Sequence, residues 1–262
     1  MISLNHMKRK NIVVANWKMN PKTFDEAKII FNKTRNSSKI LKNTDVVVCP
    51  PFVYLQSLAK SKLSKNLFLG TQNVSFQEKG AMTGEIGAPM IKDLGAKFVI
   101  VGHSERRAIG ESNEMIRKKL NLAFDNGITP ILCIGEKERD HDGLYLDFIK
   151  KEIKECLNGL EKKNLLGLII AYEPVWAIGK SFRESMNATD VHETVLFIRK
   201  SAGELFGKDM ADSFKILYGG SVELENVANI MHIGNVSGLL IGHSSISFPE
   251  FSEILKLVDV KR

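Results

Sequence analysis

Residues 98–134 read FVIVGHSERRAIGESNEMIRKKLNLAFDNGITPILCI, and the rhythm of this stretch decides the fold. An unbroken apolar run, Phe98–Val101, gives way to a polar turn at Gly102-His103-Ser104. An amphipathic segment follows, with Ile116, Leu120, Ala123 and Phe124 at helical spacing and Gly127 as its stop signal. A second apolar run, Ile131–Ile134, then begins. Runs continuous in Val, Ile and Leu signify strands buried on both faces, as in a parallel sheet covered by helices.

The same unit recurs on either side. Ile12–Ala15, Val46–Cys49, Leu67–Gly70, Leu168–Tyr172, Phe214–Tyr218 and Gly238–Ile241 bring the apolar runs to eight, and Phe24, Ala27, Ile30 and Phe31 mark another helix after Pro21-Lys22-Thr23. Eight such units of about 30 residues predict an α/β fold, a closed (β/α)8 TIM barrel forming a single domain. A doubly wound open sheet is the competing architecture. As a dinucleotide binder it carries G-x-G-x-x-G after an early strand, and the sequence has none. No linker or low-complexity tract divides the chain, so residues 7–262 are read as the barrel domain and residues 1–6 as an N-terminal extension. Two segments, residues 73–86 and 174–187, are too long to be simple connectors and are expected to be functional or disordered.

The net charge of +7 raises the question of nucleic acid. Lys and Arg are scattered along helical faces, such as Arg117, Lys118 and Lys119, without interleaved aromatics, so no nucleic-acid partner is expected. The surplus charge is read as a solvated surface, whose positive potential also draws in a small phosphate dianion. No apolar stretch reaches the ~18 residues a membrane span needs, and the first residues lack the apolar core of a signal peptide. Cys49, Cys133 and Cys156 are odd in number and form no C-x-x-C pair, which argues against a disulfide framework or zinc site and for reduced, buried thiols. The expectation is a cytoplasmic protein.

Chemistry in a barrel sits where strands end. After the first run comes Asn16-Trp17-Lys18; after the fourth, Gly102-His103-Ser104-Glu105-Arg106-Arg107; after the sixth, Glu173. Gly219-Gly220-Ser221 follows the seventh and Gly242-His243-Ser244 the eighth. Glu173, between an apolar strand and Pro174-Val175-Trp176, is placed for desolvation to raise its pKa and suit it to general-base work. His103 precedes Ser104, read as a helix N-cap; a helix N-terminus disfavours imidazolium, so a neutral ring donating to a carbonyl is expected. Lys18 faces the pocket and stabilises developing negative charge. The two Gly turns form a phosphate cradle. The six His show no metal-ligand spacing. Together these groups indicate proton abstraction beside a carbonyl in a phosphorylated substrate.

Six ordered segments carry a resemblance: Asn16-Trp17-Lys18-Met19-Asn20, Gly80-Ala81-Met82-Thr83-Gly84-Glu85, Gly102-His103-Ser104-Glu105-Arg106-Arg107, Cys133-Ile134-Gly135-Glu136, Ala171-Tyr172-Glu173-Pro174-Val175-Trp176-Ala177-Ile178-Gly179 and Tyr218-Gly219-Gly220-Ser221. From about Met7 onward the chain resembles the triosephosphate isomerase family. The resemblance implies a glycolytic and gluconeogenic enzyme, free of metal and cofactor, that interconverts D-glyceraldehyde 3-phosphate and dihydroxyacetone phosphate. It implies Glu173 as the proton shuttle, His103 as the electrophile, Lys18 as the positive charge, Asn16 orienting Lys18 and substrate, and Glu105 in support. Backbone groups of Gly179, Ser221, Gly242 and His243 would hold the phosphate. The segment from Pro174 would close as a lid, and the loop with Gln72, Asn73 and Thr83 would insert into a second copy, making a homodimer. The chain departs from the family at Lys180-Ser181-Phe182-Arg183-Glu184-Ser185 in the lid and at His243. These departures keep open a longer ketose phosphate, such as a tetrulose phosphate, as the substrate. A Schiff-base aldolase using Lys18 and a non-catalytic binding protein on a barrel scaffold are the competing functions.

Overall fold

The eight apolar runs become eight strands: β1 Asn11–Asn16, β2 Thr44–Cys49, β3 Leu67–Thr71, β4 Phe98–Val101, β5 Thr129–Ile134, β6 Ile169–Tyr172, β7 Lys215–Tyr218 and β8 Gly238–Ile241. Each pairs in parallel with the next, and β8 returns to β1 in the register Ile12↔Gly238 to Ala15↔Ile241, closing the sheet into a barrel. The computed structural model describes residues 10–140, 142–180 and 184–261. The expected extension, residues 1–6, and lid residues Ser181, Phe182 and Arg183 lie outside the described residues.

Helices connect the strands: α1 Phe24–Lys39, α2 Phe52–Ala59, α3 Ala88–Asp93, α4 Ser104–Ala108, α5 Asn113–Asp125, α6 Leu144–Leu157, α7 Lys162–Leu165, α8 Ala188–Phe206, α9 Lys208–Ser213, α10 Leu224–His232 and α11 Glu250–Val258. Thr23 starts α1 through a reciprocal cap. Its hydroxyl accepts from the Glu26 N–H (3.3 Å), and the Glu26 carboxylate accepts from the Thr23 N–H (3.4 Å). The α5 helix ends at Gly127, whose φ of +71° only glycine adopts cheaply. There the Gly127 and Ile128 N–H groups donate to the Phe124 and Ala123 carbonyls, completing a left-handed cap.

Alternation along the strands divides the core in two. Ile12, Val14, Val47, Ile100, Ile131, Ile169, Leu217 and Leu240 belong to a cluster built only of strand residues, which fills the barrel. Their neighbours Val13, Val46, Val48, Val99, Leu132 and Leu239 pack outward against Phe31, Leu120, Ile153, Ile198 and Leu255 of the helices. Burial on both faces explains the unbroken apolar runs. The three cysteines are free and buried. No helix among the described residues is long and apolar enough to cross a membrane.

The long loop after β3 has no regular secondary structure. The Ser75 N–H donates to the Ile86 carbonyl at 2.8 Å and closes its base. A buried Lys119 on α5 holds it from beneath: the ammonium donates to Asn73 Oδ1 (2.7 Å) and pairs with buried Glu111. Burial drives the Lys119 pKa down, while Glu111 pulls it back up.

Candidate active site

The C-terminal mouth of the barrel gathers the chemistry. Asn16, the last residue of β1, is buried, and its Oδ1 accepts from the Lys18 N–H at 3.1 Å. Lys18 has a φ of +52°, an uncommon conformation for a residue with a side chain. Gln72 stabilises it by donating from Nε2 to the Lys18 carbonyl (2.8 Å) and to the Cys49 carbonyl (2.9 Å). The Lys18 ammonium pairs with Glu105 Oε1 at 2.6 Å.

The structure corrects the cap at the end of β4. His103, not Ser104, is the N-cap of α4, because the imidazole takes the acceptor role assigned to the serine hydroxyl. Nδ1 accepts from the Glu105 N–H at 3.2 Å, so it carries no hydrogen in this geometry and the ring hydrogen sits on Nε2. Nε2 lies 3.2 Å from Glu173 Oε1. Ser104 contributes its backbone instead, donating N–H to Glu173 Oε2 at 3.0 Å.

Glu173 follows β6 and is only 2 % exposed. Its Oε1, although close to the imidazole, makes no hydrogen bond, which leaves a buried carboxylate oxygen free to act on a ligand. Glycines make room for it. A Cβ at Gly135 would collide with the Glu173 carbonyl, and one at Gly219 would fall 2.9 Å from Glu173 Cγ.

A cavity of about 380 Å³ connects these groups to the turns after β7 and β8. Asn16, Lys18, His103 and Glu173 line one side; Gly179, Ser221, Gly242 and His243 line the other. Gly242 leads directly into a 3-10 turn, His243–Ile246, the short extra helix that often builds phosphate sites in barrels. Ser244 ties the two turns together by donating its hydroxyl to the Val222 carbonyl (3.2 Å). Ser221 reaches the lid, donating to the Ala177 carbonyl at 2.9 Å. His243 is exposed at the rim. Glu105 does not line this cavity. It borders a neighbouring one of about 290 Å³, with Lys18, Gln72, Asn73, His103 and Arg106.

Three charged neighbours of the candidate site were given no role by the sequence pattern. Glu136 is buried and accepts from the Tyr172 hydroxyl (2.9 Å) and Trp176 Nε1 (2.8 Å), holding the first turn of the lid. Burial raises its pKa, opposed by those two donors. Half-buried Arg107 and buried Glu152 pair behind the base at 2.9 Å. A usable signal existed for Glu152: it lies on the apolar stripe of α6 with Ile149, Ile153 and Cys156, where a charge needs a partner.

A buried carboxylate, an imidazole whose Nδ1 accepts a backbone N–H, a cation and two glycine-containing turns meet in one barrel mouth, an arrangement suited to an enzyme of the aldose–ketose isomerase class. Comparison with known proteins narrows the class. The family model described as Triosephosphate isomerase matches residues 11–258. The chain is 38% identical over 249 residues to the triosephosphate isomerase of Moorella thermoacetica, covering 94% of this chain and 98% of the relative. It is 40% identical to that of Clostridium botulinum (94% and 99% covered) and 39% identical to that of Dictyoglomus thermophilum (95% and 99% covered). The chain belongs to the triosephosphate isomerase family.

Proposed function

We propose that the protein interconverts dihydroxyacetone phosphate and D-glyceraldehyde 3-phosphate through an enediolate. Glu173 takes a proton from the carbon beside the carbonyl, and that C–H pair becomes the new C=C bond. The carbonyl π pair moves onto oxygen, where His103 Nε2–H and the Lys18 ammonium stabilise the charge. A proton then passes between the two oxygens by way of His103, and protonated Glu173 returns its proton to the neighbouring carbon. Asn16 orients Lys18, and Glu105 supports it through their ion pair. Backbone groups at Gly179, Ser221, Gly242 and His243 hold the phosphate. Residues 7–262 serve as the catalytic domain, with 1–6 as an N-terminal extension. The role is glycolytic and gluconeogenic.

The observation that carries this reading is the unpartnered Oε1 of buried Glu173, 3.2 Å from His103 Nε2 within the cavity that also contains Gly242. The relatives' names favour the three-carbon substrate over a tetrulose phosphate. A coupled assay on both substrate lengths tests the proposal. Triose phosphates turn over preferentially, and Glu173→Asp cuts kcat at least about 100-fold with the fold retained, because the shorter carboxylate stops about 1 Å short. Undiminished turnover in that variant removes Glu173 as base.

A homodimer and a cytoplasmic location belong to the same proposal. Met19, Val53 and Ile109 are 94%, 79% and 72% exposed, and the loop fixed by Lys119 borders the second cavity. Contiguous apolar patches mark interaction sites, and the proposal places these three residues on one. Sedimentation equilibrium gives twice the 29.3 kDa chain mass if this holds; a fully active monomer contradicts it. Free thiols fit a reducing compartment, and recovery in the soluble cytosolic fraction checks that placement.

A further inference from the structure

The active groups of this site come from different strands, and something must fix their spacing. His103 follows β4, while Glu173 follows β6, with β5 between them. One buried ion pair bridges all three strand ends. Arg107 Nε donates to the carbonyl of Gly102, the residue before His103, at 2.8 Å. Its Nη2 donates to the Cys133 carbonyl on β5 at 3.1 Å, and its Nη1 pairs with Glu152 Oε1 at 2.9 Å and also donates to Asn113 Oδ1.

The carboxylate continues the chain of contacts. Glu152 Oε2 accepts from the Gly135 N–H at 2.9 Å. Gly135 lies so close to the Glu173 backbone that any side chain there would strike the Glu173 carbonyl. The Glu173 N–H in turn donates to the Ile134 carbonyl at 2.8 Å. The path therefore runs Gly102, Arg107, Glu152, Gly135, Glu173, and its two ends adjoin the imidazole and the base. Both side chains are largely out of water, at 16 % and 4 % exposure. A buried pair of this kind is weak as a source of stability, because desolvation offsets the attraction. Its geometry is specific, because a guanidinium fork fixes several acceptors at once.

We propose that Arg107 and Glu152 are positioning residues that set the spacing between His103 and Glu173 without touching substrate. The inference rests on the assignment of those two residues as electrophile and base. Three consequences separate positioning from a merely structural role. Breaking the pair lowers kcat while leaving phosphate recognition intact, since the cradle after β7 and β8 is outside the path. A lysine at 107 keeps the charge but loses the fork, so it does not rescue. The His103 ring also senses the change.

The experiment compares Glu152→Gln and Arg107→Lys with the unmodified protein. Each folded variant is expected to lose about 10- to 100-fold in kcat, the scale of an ångström-sized misplacement. KM and inhibition by inorganic phosphate should stay within about threefold. The ¹⁵N resonances of the histidine ring that vanish in His103→Gln should shift in both variants. Should Glu152→Gln not fold, Arg107→Lys, which keeps both charges, carries the test. A folded Arg107→Lys with near-normal kcat overturns the proposal, and so does a fall in kcat matched by equal loss of phosphate inhibition. Glu173→Gln is measured in parallel. Retained turnover there defeats the base assignment itself, whereas lost turnover there beside an unaffected Glu152→Gln defeats only the positioning role.

Discussion

Replacing Gly219 by alanine tests how closely the base is fitted to its site. Gly219 follows β7, and its N–H donates to the Tyr172 carbonyl at 2.7 Å. Its φ is not in the left-handed region, so the backbone accepts an alanine without strain. The new methyl would sit 2.9 Å from Glu173 Cγ and 3.4 Å from the Tyr172 carbonyl oxygen. Ordinary contacts start near 3.4 Å, so the Glu173 side chain must retreat by roughly 0.5–1 Å. Catalytic groups tolerate about 0.5 Å of displacement, and an ångström costs up to about 100-fold. The expected loss in kcat is about 10- to 100-fold, equivalent to ~1.4–2.7 kcal/mol in the barrier. Gly167→Ala serves as the control, because its methyl would meet nothing nearer than the Asn164 carbonyl at 3.9 Å. Steady-state kinetics on triose phosphates, with circular dichroism to establish folding, gives the result. A folded Gly219→Ala with the kcat of the control would refute the reasoning.

Burial pushes the Glu152 carboxyl up from 4.5 to about 7, against the opposing pull of Arg107 and the Gly135 N–H, with Glu173 and Glu136 adding repulsion. Between these values the folded chain holds a proton that the unfolded chain has lost, so this group's contribution to stability falls as pH rises. The margin of the unmodified protein over Glu152→Gln, which cannot titrate, should therefore shrink by ~3 kcal/mol from about pH 4.5 to above about 7; urea unfolding at pH 5 and 8 showing a constant or growing margin rejects this. Lys119→Met leaves Glu111 with Arg106 alone (2.6 Å) and takes the donor from Asn73, so unfolding free energy should drop by ~1–3 kcal/mol, and the loop of residues 73–86 should loosen and weaken the proposed dimer. Thermal unfolding measures the first effect, sedimentation the second, and a variant as stable and as associated as the parent counts against both.

Much of the fold was legible because strands buried on both faces leave unbroken apolar runs. All eight were found, and their ends differ by at most two residues. The strands extend further where polar residues join the ladder, as at Asn11, Asn16, Thr44 and Thr129, which an apolar criterion passes over. They start one residue later at β6 and β7, where Leu168 and Phe214 are buried outside the ladder. The candidate site was legible at strand ends, where His103, Lys18 and Glu173, which line one cavity, interrupt apolar or glycine-rich sequence. The cap at His103 was not, because an imidazole accepting a backbone N–H leaves no compositional trace beside a serine. Nor were the partners of Arg107, Glu152 and Lys119 legible, since the Arg107–Glu152 pair joins distant parts of the chain and Lys119 meets Glu111 only through the packing of α5.

The most direct test follows hydrogen rather than turnover. Dihydroxyacetone phosphate in D₂O, observed by proton NMR, should exchange hydrogen for deuterium at the carbon bearing its hydroxyl when the unmodified protein is present. Glu173→Gln should slow that exchange by about 1,000-fold or more while still binding phosphoglycolate. Exchange at the parental rate in Glu173→Gln would contradict the account, because the proton would then have another acceptor.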